Sequence, residues 1–227
     1  MGSSGNSERT LRTTRTAGTS GGERFRLYLV TDRGSTGGRP LVDVVRAALR
    51  GGVEAVQLRE KNLPVRALYE LAAQLRSLCT EYGARLLIND RVDVALAVNA
   101  DGVHLPVDSF SIADARALLG PDKLVGASTH SLAQAAAAEN AGADFVVFGP
   151  VFDTPSKRTF GAPVGLAALR EVTERLRIPV LAIGGISADR IGDVCAQGAT
   201  GIAVVSAILQ SSDPASAAAS IVAQLRF

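Results

Sequence analysis

Residues 56–61 read Val-Gln-Leu-Arg-Glu-Lys. In an extended chain side chains alternate, so Gln57, Arg59 and Lys61 point to one side while Leu58 and Glu60 point to the other. An amide and two cations on one face suit a multiply charged anion, although a solvated edge would carry the same residues. Asn89-Asp90 adds a carboxylate. A hard cation such as Mg2+ is commonly held by a carboxylate or a pair of them together with substrate phosphate oxygens. Arg, Lys and such a metal would together draw negative charge off a departing diphosphate. A second kind of anion site is suggested by Ala182-Ile183-Gly184-Gly185-Ile186-Ser187. Glycines there let backbone N–H groups approach phosphate oxygens. Two separate anion sites imply two phosphorylated ligands.

The elements that must position these residues are legible from Phe25 onward. Short β-branched runs (FRLYLVTD, AVQLRE, RLLIND, GVHLP, KLVGAS, FVVFGP, PVLAIGG, GIAVVSAI) alternate with Ala/Leu/Arg stretches of helical period such as PLVDVVRAALRGG and SLAQAAAAENAG. The runs are nearly continuously apolar, as in parallel strands covered on both faces. Eight such strands with helices between them, in a chain of 227 residues, predict one α/β domain, a closed (β/α)8 TIM barrel over residues 25–227. A doubly wound open sheet is the alternative. Against it, VTDRGSTGG stands where a G-x-G-x-x-G would follow the first strand, and no GxxxxGK[ST] occurs. Residues 1–24 are dominated by Gly, Ser, Thr and Arg and are expected to form a disordered extension. Ser187 stands where an N-cap belongs.

Composition narrows the function classes. A net charge of +2 and 4% aromatic residues without tryptophan argue against a nucleic-acid partner. No apolar run approaches the roughly 20 residues needed to span a bilayer, so no membrane role is expected. With two histidines and two cysteines, Cys79 and Cys195, lacking metal-ligand spacing, neither a zinc site nor a disulfide framework is expected. The expected setting is a cytoplasmic protein with reduced thiols. Barrels of this size often present apolar helix faces to a second copy, and a homo-oligomer is one expectation.

In such a barrel the working face lies at the carboxyl ends of the strands. The second strand ends in Gln57, Arg59 and Lys61, the third in Asn89 and Asp90, the fourth in His104, and the fifth in Ser128, Thr129 and His130. The sixth leads into Thr154, Ser156 and Lys157, the seventh ends in Gly184-Gly185, and the eighth carries Val205-Ser206. Taken singly these residues are ordinary. Arg59 and Lys61 read as surface charges, Asp90 as a loop residue, and Gly184-Gly185 as a turn. His104 reads as a packed, hydrogen-bonded histidine, and His130 as part of the next helix start. Their coincidence on one rim is what points to a site.

The segments QLREK, NDRVDVALAVNADGVHL, GASTHS, GPVFDTPSK, IGGIS and VVSAI, in this order, resemble the thiamine phosphate synthase and TenI superfamily over roughly residues 25–210. The family fold is a (β/α)8 barrel. The resemblance implies a synthase that joins hydroxymethylpyrimidine diphosphate to hydroxyethylthiazole phosphate and releases pyrophosphate, by ionisation of the pyrimidine and capture of the carbocation. It places Gln57, Arg59, Lys61, Asn89, Ser128 and Lys157 on the pyrimidine diphosphate, and Mg2+ on Asp90. It places Thr154, Ser156, Gly184, Gly185, Val205 and Ser206 on the thiazole phosphate.

One stretch departs from the synthase pattern. Synthases usually carry a further metal-binding acid where this chain has Ser109, in His104-Leu105-Pro106-Val107-Asp108-Ser109. Asp108, one residue earlier, is therefore a candidate second ligand. The same stretch looks like the TenI branch, whose thiazole tautomerases use a histidine aligning with His130 for proton transfer, and whose reaction needs no diphosphate cage. A non-catalytic thiazole phosphate-binding relative is the third alternative. The retained QLREK, Asn89-Asp90 and Thr-Pro-Ser-Lys favour the synthase, because clustered cations repel unless an anion lies between them.

Overall fold

The computed structural model describes residues 25–154 and 162–225. Its strands are the short apolar runs: β1 Leu27–Val30, β2 Ala55–Leu58, β3 Arg85–Asn89, β4 Gly102–Leu105, β5 Leu124–Thr129, β6 Phe145–Phe148, β7 Val180–Ile183 and β8 Gly201–Val204. All neighbours pair in parallel, and β8 returns to β1, so the sheet closes into an eight-stranded barrel. The alternation of a strand sorts its side chains between two cores. Tyr28 and Val30 of β1 join Phe25, Leu87, Phe145 and Leu181 in the lumen. Leu27 and Leu29 face outward into the layer beneath the helices. Continuous apolarity therefore records two buried faces.

The helices are α1 Leu41–Arg50, α2 Val65–Glu81, α3 Val92–Ala97, α4 Ile112–Leu119, α5 Leu132–Asn140, α6 Gly165–Arg175, α7 Ile191–Ala196, α8 Ser206–Leu209 and α9 Pro214–Gln224. In α1 the buried residues Leu41, Val44, Val45, Ala48 and Leu49 fall on one helical stripe. Each large one contributes about 1.5–3 kcal/mol on burial. The helix stops at Gly51-Gly52, where Gly52 takes φ +97°. Ser111 and Ser131 cap α4 and α5 by accepting the N–H groups of Asp114 and Gln134. Two expected ends differ. VVSAI leaves the strand after Val204 and turns into α8. Ser187 precedes a 3-10 turn, Ala188–Arg190, without capping it; its hydroxyl serves the Asp189 carboxylate instead.

At the amino-terminal end of the barrel one device recurs, on Glu54, Asp101, Asp144 and Thr200, each of which stands just before an even-numbered strand. Each donates its N–H to the carbonyl of a residue opening the preceding odd strand, namely Leu27, Leu86, Val125 and Val180. Each side chain then accepts the N–H of that same residue, at 3.3, 2.7, 2.7 and 3.4 Å respectively. The reciprocal clamp satisfies strand-end donors that pairing leaves open. It sets the stagger of each strand pair, and with it the height at which residues emerge on the opposite rim. Arg76 and Arg85 brace Asp101, and Arg116 braces Asp144.

Candidate functional site at the carboxyl rim

The lumen ends in polar residues where the site is expected. Gln57, buried in β2, donates from Nε2 to Tyr28 Oη at 3.1 Å. Burial pushes the Tyr28 phenol far up, outweighing the Gln57 contact, so the hydroxyl stays protonated. Arg59 follows β2, and its N–H donates to Thr31 Oγ1 at 2.9 Å. Thr31 in turn donates to Glu60 at 2.8 Å, and Glu60 also receives Arg33. Glu60 is thus drawn over β1, while the positive charge of Arg59 is felt at His104 in the lumen. This is the alternation that QLREK predicts.

His104 in β4 is 2% exposed. Its Nε2 lies 2.9 Å from Ser128 Oγ in β5, while Nδ1 has no partner among the described residues. Its ring forms a triangle with Tyr28 and Phe145, both centroids 5.9 Å away and 5.8 Å from each other. Burial, and secondarily the positive charge of Arg59, push the imidazole down to about 3, so it is neutral at physiological pH. The residue in register opposite His104 is Gly126, and the Phe145 ring fills the space that a side chain there would need.

Asn89 closes β3 directly opposite His104. Asp90 then takes the left-handed conformation, φ 66°, which Asp tolerates better than most residues. Its N–H donates to the His104 carbonyl at 3.0 Å, and its carboxylate accepts the Ser109 hydroxyl. Ser109 thus sits on Asp90, while Asp108 is exposed. Among the described residues no group of three or more His, Cys, Asp or Glu side chains is arranged to hold a metal. Asp90, the Ser109 hydroxyl and substrate oxygens form an acceptable donor set for Mg2+, which dehydrates reluctantly and needs few protein ligands.

On the other side of the mouth, Gly184 and Gly185 follow β7 with φ +99° and +63°. A Cβ on Gly184 would lie 2.5 Å from Pro150 Cβ, and one on Gly185 would lie 2.6 Å from the Asp153 carbonyl oxygen. Only glycine lets the loops after β6 and β7 approach this closely. Arg190 joins them: it donates to the Gly185 carbonyl at 2.8 Å and lies 4.6 Å over the Phe152 ring. Val205 and Ser206 open α8 beside them. His130 is exposed after β5, its Nδ1 on the Gly149 carbonyl and its backbone N–H on Gln134 at 2.7 Å. Lys61 is exposed in the loop after β2, and Thr154 is half-buried after β6. Ser156 and Lys157 lie outside the described residues.

The structure thus assembles Gln57, Arg59, Asn89, Asp90 and Ser128 along the arc β2–β5, and Gly184, Gly185, Val205 and Ser206 along β7–β8. His104 is legible in the sequence as a rim residue that singly reads as packing, and Tyr28 is not singled out there. The sign that they do more is a single polar atom at lumen phase in an otherwise apolar strand. Ser109 reads in the sequence as a gap in the ligand set, yet its hydroxyl holds Asp90.

Cations, a carboxylate and paired glycines thus stand at the carboxyl rim of a closed (β/α)8 barrel, the end at which such barrels carry their phosphate sites. The family model for thiamine monophosphate synthase matches residues 27–208. A putative thiamine-phosphate synthase of Geobacter sulfurreducens is 53% identical over 201 residues, covering 88% of this chain and 94% of that protein. A thiamine-phosphate synthase of Clostridium novyi is 47% identical, covering 83% and 93%. The solved thiamine phosphate pyrophosphorylase of Pyrococcus furiosus superposes with a TM-score of 0.82 at 42% identity, covering 89% of this chain and 96% of that one. The chain belongs to the thiamine monophosphate synthase family.

Proposed function

We propose that this chain is a thiamine-phosphate synthase, a transferase that joins hydroxymethylpyrimidine diphosphate to hydroxyethylthiazole phosphate. The observation that carries the reading is the two-sided rim. Cation, amide, carboxylate and hydroxyl groups occupy β2–β5, facing glycine-lined backbone at β7–β8. In this reading Arg59, Lys61, Lys157, Asn89 and Ser128 hold the diphosphate, and Gln57 orients the pyrimidine. Thr154, Ser156, Gly184, Gly185, Val205 and Ser206 take the thiazole phosphate. The bond from the pyrimidine methylene carbon to the diphosphate oxygen breaks, its electron pair leaving with pyrophosphate. The ring-stabilised carbocation is then captured by the thiazole nitrogen, forming the new carbon–nitrogen bond. The proton balance needs no strong base, so the work of the protein is positioning and stabilising the leaving group. Mg2+, held by Asp90 and the substrate oxygens, would supply further positive charge to that group, with Ser109 fixing the Asp90 carboxylate and the exposed Asp108 as the candidate second ligand.

The test is pyrophosphate release and thiamine phosphate formation with both substrates, with and without Mg2+. Arg59→Ala and Lys61→Ala should slow turnover far more than His130→Ala. No product at any magnesium concentration would end the proposal. The reverse ranking, together with aromatisation of a thiazole carboxylate phosphate, would move the reading to a tautomerase.

A further inference from the structure

We propose that His104 is a positioning residue for leaving-group stabilisation. It carries its hydrogen on Nε2, donates it to Ser128 Oγ, and so turns the Ser128 hydroxyl proton toward the diphosphate. The inference rests on the reading that Ser128 faces the diphosphate.

The hydrogen-bond arithmetic of the pair distinguishes two arrangements. His104 is 2% exposed, Nε2 is 2.9 Å from Ser128 Oγ, and Nδ1 is buried without a partner among the described residues. If Nδ1 carried the hydrogen, Nε2 would accept the Ser128 proton. The pair would then be closed on itself, an N–H would be buried with no acceptor, and Ser128 could only accept. With the hydrogen on Nε2, the unpaired atom is a bare ring nitrogen. Unpaired acceptors are tolerated inside proteins more often than unpaired donors. Ser128 then keeps its proton for a ligand oxygen, where a bond to an anion is about twice as strong as a neutral one.

The described surroundings offer the ring no other use. It packs against both Tyr28 and Phe145 at centroid distances of 5.9 Å, the two being 5.8 Å from each other, and the residue opposite it, Gly126, has no side chain to meet Nδ1. The Tyr28 hydroxyl accepts the Gln57 amide and makes no hydrogen bond to the ring. Asn89 stands in register with His104 on one side, and on the other Ser128 follows Gly126 along β5. A fixed imidazole therefore sets the donor direction of Ser128 in the middle of the β3–β5 arc.

The chain has two histidines, so long-range 15N–1H correlation of the full-length protein resolves both rings, with His130→Asn for assignment. The expected result for His104 is a protonated Nε2 and a bare Nδ1. A protonated Nδ1, or a pattern averaged between the two forms, would overturn the proposal. Kinetics gives the second arm. His104→Phe and Ser128→Ala should each lower kcat at least about tenfold, the loss of one charge-assisted hydrogen bond. The double variant should be no slower than Ser128→Ala, and His104→Gln should recover part of the loss by returning a donor. Independent, multiplicative losses would overturn the positioning role. If Ser128→Ala leaves kcat and both KM values at wild-type levels, the diphosphate reading of Ser128 fails, while the ring spectrum still decides the hydrogen bond. Should His104→Phe not fold, His104→Gln and the wild-type spectrum decide between the two arrangements.

Discussion

Replacing Gly185 by Ala separates backbone strain from steric contact in the loop proposed to hold the thiazole phosphate. Gly185 has φ +63°, and a Cβ there would stand 2.6 Å from the Asp153 carbonyl oxygen and 2.9 Å from Phe152 Cβ. The left-handed backbone alone costs an L-residue about 1–2 kcal/mol. Because the contact is with main chain, it is relieved only by moving the segment after β6 away. That motion stretches the Arg190 bond to Gly185 and its stacking on Phe152. Gly142 provides the control: its φ is +93°, and a Cβ there meets no described atom within 4 Å. Gly142→Ala should therefore lower stability by about 1–2 kcal/mol, roughly 2–8 °C in Tm, and leave both KM values unchanged. Gly185→Ala should cost a further ~1–3 kcal/mol. It should also raise KM for the thiazole phosphate at least about tenfold, the equivalent of one lost charge-assisted hydrogen bond, with a smaller effect on the pyrimidine diphosphate. Urea unfolding and pyrophosphate release, with each substrate varied in turn, measure both quantities. An unaltered thiazole KM in Gly185→Ala, or an equal rise in Gly142→Ala, would refute the reasoning.

Asp101→Asn should destabilise the protein by about 2 kcal/mol at neutral pH, chiefly through Leu86 N–H and Arg76, since Arg85 is 39% exposed and screened. Burial raises the Asp101 carboxyl, but Leu86 N–H and the two guanidiniums outweigh it and hold the group below its ordinary range. The stability it confers is present above the unfolded carboxyl value and lost as pH falls through the native one, so the deficit should shrink in urea titrations near pH 3; a pH-independent deficit would contradict this. For His104 the native value lies below the unfolded one, so the unfolded chain takes up the proton first. Stability should fall from about pH 6.5 toward about pH 3, by up to about 1.4 kcal/mol per unit, and His104→Gln should lack that part of the slope. Gly126→Ala would put a Cβ 2.2 Å from Phe145 Cζ and should cost about 3 kcal/mol, with partial rescue by Phe145→Leu in a double-mutant cycle.

How far the chain can be read without coordinates depends on whether a feature is local. The eight strands, the helical stripe of α1 and the placement of Arg59, Asn89, Ser128 and Gly185 at strand ends follow from period and phase, which neighbouring residues record. The bonding of Glu60 to Thr31 and Arg33, away from the lumen that Gln57 enters, also follows from alternation. The closed barrel, too, is the sequence's own expectation; the repeated clamp of Glu54, Asp101, Asp144 and Thr200 and the meeting of His104 with Ser128 were decided by tertiary structure. So was the Ser109 hydroxyl on Asp90, which one-dimensional spacing presents only as a missing acid. The physical reason is register: a strand states which face each side chain takes, but its height against a neighbour some twenty residues away is set by pairing. That height decides which polar atoms come within hydrogen-bond reach.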